Sequence, residues 1–81
     1  MGKATMAQRC EIIFSPKEGA DLRDTTSKVF VRVVKFAKES DIKIEGIRVI
    51  GSRLFFEAPE ETSIQAVLNA IQPLVEDAKR Q

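Results

Sequence analysis

The stretch SKVFVRVVKFAKES, residues 27–40, decides what this chain can fold into. Read as a strand, VFVRVV is a β-branched and aromatic run. Its faces would be Val29, Val31, Val33 and Lys35 against Lys28, Phe30, Arg32, Val34 and Phe36, and the second face is mixed. Read as a helix, Leu22, Val29, Phe30, Val33, Val34, Phe36 and Ala37 fall within one arc of about 160°. Lys28, Arg32, Lys35, Lys38 and Glu39 fall opposite, and only Val31 is out of place. The helix wins, because each β-branched residue costs it only about a few tenths of a kcal/mol. Its start is expected between residues 16 and 22. Ser15-Pro16-Lys17-Glu18 has the form of a capping box with proline at the first helical position, and Asp21 and Asp24 offer a later start. The end is expected near Ser40-Asp41.

The flanking segments switch to period two. In RCEIIF, residues 9–14, Cys10, Ile12 and Phe14 alternate with Arg9, Glu11 and Ile13. Ile42 and Ile44 share a face, and the alternation slips at Glu45-Gly46, which predicts a bulge or turn at the glycine. GIRVIGSRLFFEA then reads as a hairpin on a Gly51-Ser52 type II′ turn. That register pairs Ile50 with Arg53, Val49 with Leu54, Arg48 with Phe55 and Ile47 with Phe56. A last helix is expected from the Pro59 region, with a Thr62-to-Gln65 capping box. Ile64, Val67, Leu68, Ile71, Leu74, Val75 and Ala78 keep helical spacing, so Pro73 is read as a kink rather than an end. Lys79 and Arg80 would suit the negative end of that helix. The expected fold is α+β: β-α-β-β-α, a three-stranded antiparallel sheet with two helices on one face. Residues 1–8 read as a disordered lead and 9–81 as one domain.

At 81 residues, 43% hydrophobic and 31% charged, the composition is that of a small globular domain. A domain this size buries only about 60–65% of its unfolded surface, so a partner that completes the core is unsurprising. No apolar run approaches the roughly 20 residues of a membrane helix, and MGKATMAQ is no signal peptide. A cytoplasmic protein without a membrane partner is expected. With no histidine and a single cysteine, a Cys/His zinc site is excluded, as are Ser-His and Cys-His catalysis. Cys10 is expected to act as a small buried hydrophobe. No cofactor-binding motif is present, and the carboxylates are scattered, so the chain is not expected to be an enzyme. Residues 1–53 hold eleven Lys/Arg and seven Asp/Glu, net +4; residues 54–81 hold two and five, net −3.

Two surfaces follow. The open sheet face carries Arg48, Arg53 and Phe55, with Ile50 and Glu57. Aromatic plus arginine is the chemistry of base stacking on RNA-binding sheets, but cross-strand pairing and a dimer face use the same residues. The stripe Lys28, Arg32, Lys35 and Lys38 is either a phosphate-contacting surface or the solvated side of a helix. An unpaired sheet edge would let two copies form a continuous sheet.

From Ile42 onward the chain resembles the small dimerising subunit of the KEOPS complex, which helps make threonylcarbamoyladenosine on tRNA. The residues that carry this are EGIRVIGSRLFFEAPEETSIQAVLNAIQPLVEDA, within them Leu54, Ala58, Glu60, Ile64, Ala66, Leu68 and Asn69. The element order and length agree as well. Gln65 stands where the family often has arginine, and Pro59 and Pro73 are departures. The resemblance implies a non-enzymatic scaffold that forms a homodimer through its sheet. It also implies that the helices bundle against helices of a larger catalytic subunit. On that implication Val34, Phe36, Leu68, Ile71 and Val75 become partner contacts, with Ile50 a dimer contact. The alternative is a small RNA- or DNA-binding domain.

Overall fold

Alternation in the first apolar segment becomes strand β1 (Gln8–Ser15), which buries Cys10, Ile12 and Phe14 on one face. The computed structural model describes residues 7–81. Of the expected lead, residues 1–6 lie outside the described residues, and Gln8 already belongs to β1.

The first candidate helix start is not used. The Ala20 amide donates to the Lys17 carbonyl at 2.9 Å, and Gly19 has φ +83°, a left-handed conformation no helix passes through. Helix α1 (Leu22–Glu39) begins instead at Asp21, whose carboxylate accepts from the Asp24 amide at 3.1 Å. It ends in a Schellman arrangement. Ile42 N–H donates to the Ala37 carbonyl at 3.1 Å and Asp41 N–H to that of Lys38 at 3.4 Å. Asp41 supplies the left-handed residue, at φ +55°.

Strands β2 (Glu45–Ile50) and β3 (Arg53–Ala58) form the expected hairpin. Arg48–Phe55, Val49–Leu54 and Ile50–Arg53 pair as predicted. Gly51 has φ +59° and Ser52 does not, which is the type II′ sign pattern. The register then shifts between Arg48 and Glu45, where Gly46 has φ +63°. This is the bulge, and it displaces the expected Ile47–Phe56 pair.

The last third departs from expectation. Helix α2 (Glu61–Ile71) starts at Glu60 without a side-chain cap, and the Thr62 capping box does not form. Gln65 instead bonds Asn69, Nε2 to Oδ1, at 3.1 Å. Pro73 ends the helix rather than kinking it. It has no N–H to offer the preceding turn, and its ring crowds that turn's carbonyl. The chain makes a 3₁₀ turn at Gln72–Leu74, extends at Val75 (φ −130°, ψ 165°) and enters a fourth strand, β4 (Asp77–Arg80). Val75 and Ala78 still reach the core, from a turn and a strand instead of a helix.

The sheet therefore has four antiparallel strands in the order β2-β3-β1-β4, correcting the three-stranded expectation. Both helices cover one face. This is the ferredoxin-like, split β-α-β arrangement. Its core gathers Ile12, Phe14, Val29, Val33, Leu54, Phe56, Ile64, Val67 and Ile71. Leu22 and Phe30, expected in the core, are 40% and 42% exposed. For Phe30 the reason is rotation: α1 turns its stripe toward Thr25, Val29 and Val33 and leans on α2, where Arg32 Nε donates to the Ala70 carbonyl at 3.4 Å. Leu22 shares the face of Val29 and Val33 and is exposed as the first residue of the helix. Among the described residues, no helix is long and apolar enough to cross a membrane.

Candidate functional site

The sheet face away from the helices is set by β1 and β3. Arg9, Glu11 and Ile13 stand opposite Glu57, Phe55 and Arg53 respectively. Arg53 Nη1 forms an ion pair with Glu11, and Arg9 Nε lies 3.8 Å from Glu57. From β2, the Arg48 guanidinium sits 5.4 Å from the centre of the Phe55 ring. A shallow groove of about 550 Å³ opens beside these groups, lined by Arg9, Glu11, Arg48, Phe55, Glu57 and Gly46. Arg48, Arg53 and Phe55 are thus brought together as expected. Two of the three arginines on the face already have carboxylates, so it is nearly neutral. It offers one arginine-stacked aromatic rather than a basic platform.

The basic stripe is also broken up. Lys28 pairs with Asp24 at 3.2 Å, and Arg32 lies 5.8 Å from the Phe36 ring centre while it bonds Ala70. Lys35 and Lys38 make no ion pair among the described residues.

The partner candidates divide in two. Ile71 and Val75 are buried in the domain's own core, at 0% and 4% exposure, and present nothing to a partner. The resemblance made them partner contacts, on stripes taken as wider than one small core needs, but this core takes up both. Val34, Phe36 and Leu68 are half-buried, and Ile50 is 59% exposed.

The two lateral edges of the sheet differ in ways the sequence did not signal. The β4 edge is four residues long and charged, DAKR. The pairs Ile13–Lys79 and Ser15–Asp77, with Gln81 N–H on the Glu11 carbonyl at 2.8 Å, put the outward backbone groups on Ala78 and Arg80. Gln72 Nε2 covers the Ala78 carbonyl at 3.3 Å, and Arg80 is ion-paired to Glu61. Among the described residues the β2 edge has no such cover. In a two-residue hairpin the pair beside the turn, Ile50–Arg53, is the hydrogen-bonded one. Arg48 and Ile50 therefore use their backbone groups on β3, and Val49 points its own outward. Phe30 and Val34 lie on the flank of α1 away from Arg32 and α2, which is the β2 side of the molecule. Ile50 lies on the other face of β2.

Cys10 lies under the helix layer, and burial pushes its thiol up despite the nearby Arg80 guanidinium. That is the setting of a packed hydrophobe, not of a nucleophile. Compared with known proteins, the chain matches no family model, no curated protein and no solved structure.

Proposed function

We propose that this domain acts by association rather than catalysis, as a module that pairs with a second copy through the β2 edge. The observation that carries this is the contrast between edges. β4 is short, charged and covered, whereas β2 offers the Val49 backbone between exposed Phe30 and exposed Ile50. An isologous antiparallel contact with Val49 on the two-fold axis sets Arg48 opposite Ile50 of the second copy, and Ile50 opposite Arg48. Shifting the register by one pair sets Arg48 against itself, which like charge disfavours. The resemblance to the KEOPS dimerising subunit supports the same assignment. It adds the role of an accessory subunit in a tRNA-modifying assembly, with a larger protein as second partner. Arg48 over Phe55 is the one observation that favours nucleic acid instead; the ion pairs on Arg9 and Arg53 weigh against it.

Solution mass by light scattering across a concentration series tests the pairing. The unmodified chain is expected to be a dimer at micromolar concentration. Ile50→Lys places a cation opposite the second copy's Arg48 and is expected to give a folded monomer, while Ile50→Glu is expected to keep the dimer. A monomeric unmodified chain, or Ile50→Lys and Ile50→Glu behaving alike, refutes the proposed contact.

A further inference from the structure

The outer side of α1 carries a surface that β2 pairing leaves untouched. Val31, the one apolar residue that breaks the helical pattern, is 53% exposed. It forms the floor of a groove of about 410 Å³ together with half-buried Leu74 of the 3₁₀ turn. Lys28, Arg32, Lys35 and Glu39 also line it. Lys28 is already paired with Asp24, so the groove with that partner is net +1 (three cations less two anions). Arg32 and Lys35 are its cations without a carboxylate among the described residues.

We propose that this groove binds an acidic, amphipathic peptide segment. One apolar side chain of the segment seats on Val31 and Leu74, and its carboxylates pair with Arg32 and Lys35. Charge complementarity selects this occupant. A phosphodiester backbone would use the cations but has nothing apolar to lay over Val31 and Leu74. A wholly apolar partner would cover Val31 and Leu74 but strip water from Arg32 and Lys35 without pairing them. A helix with one apolar stripe flanked by glutamates satisfies both needs, as amphipathic helices do in apolar grooves. Glu39 adds polarity to the contact, since it asks for a neutral or basic group at its own position. Val31 and Phe30 are successive residues and project about 100° apart around α1. The groove therefore stays open in the paired state, and a pair would offer two.

Fluorescence anisotropy tests this with a panel of synthetic helical peptides. Each carries glutamates around a single Leu, Ile, Phe or Met anchor. Scrambled peptides of the same composition and a single-stranded RNA oligonucleotide serve as comparison probes. At least one anchored peptide is expected to bind saturably. Its affinity is expected to fall about tenfold, equivalent to ~1.4 kcal/mol, with Val31→Ser and again with Lys35→Glu. Three results overturn the proposal: no anchored peptide binds, scrambled peptides bind equally well, or RNA binds with an affinity that Lys35→Glu removes and Val31→Ser leaves alone. Light scattering on the same samples keeps the two ideas apart. A monomer that binds the peptide removes the β2 contact and retains the groove, and a dimer that ignores every peptide does the reverse.

Discussion

Helices α1 and α2 cover the same face of one sheet on different terms. The 18 residues of α1 include three that are buried, Thr25, Val29 and Val33. The 11 residues of α2 include five, Ser63, Ile64, Val67, Ala70 and Ile71. Length explains much of this. At ~1.5 Å per residue α1 runs about 27 Å, whereas six-residue strands such as β2 and β3 run about 20 Å. The longer helix overhangs what it covers. Leu22 at its first turn faces water, as do Phe30 and Val31 on sides of the helix turned from the sheet. Helix α2 is cut short by Pro73 and lies between α1 and β4, so it has little free surface. The difference teaches where to look for function. The helix the core needs less is the one free to meet other molecules.

Stability measurements can break that comparison. Ile71→Ala removes a fully buried side chain from α2 and is expected to cost about 2–5 kcal/mol. Phe30→Ala on α1 deletes a larger side chain and is expected to cost less than about 1 kcal/mol, since it is 42% exposed. Urea unfolding of the two variants decides the matter, and equal losses would show that α1 is as structural as α2. A smaller change sharpens the picture at the end of α1. Asp41 adopts a left-handed conformation that glycine takes freely, so Asp41→Gly is expected to stabilise by about 0.5–1 kcal/mol, read as a higher urea midpoint. The smallest effect is expected at the start of α2. Glu60 makes no side-chain cap there, and Glu60→Asp is expected to add about half a kcal/mol in the same assay.

Much of the first two thirds was legible from residue pattern alone, because its signals are local. Alternation marked β1. Helical spacing overrode the β-branched run in α1. Gly51 and Gly46 announced the turn and the bulge by conformations other residues resist. β4 was not legible. DAKR has no strand composition, and it is held by pairing with β1, more than sixty residues earlier in the chain. Leu74, Val75 and Ala78 fit helical spacing equally well, so only the backbone chemistry of Pro73 argued for an ending. The candidate surfaces suffered in the same way. Arg48, Arg53 and Phe55 were correctly placed on one face, but the carboxylate on Arg53 comes from β1, and only the β1–β3 register brings Glu11 within reach.

The fourth strand has a consequence for stoichiometry. β1 is central only because β4 lies along it; without that strand the sheet would end in a row of outward backbone groups on each side. A sheet with two competent edges can join copies without limit, each addition leaving a new edge behind. Here one side is closed by a short charged strand with Gln72 across its carbonyl, so edge-to-edge association through β2 uses up the competent edge of both copies. On the proposed β2 contact the count would stop at two, and the residues that stop it lie at the far side of the sheet.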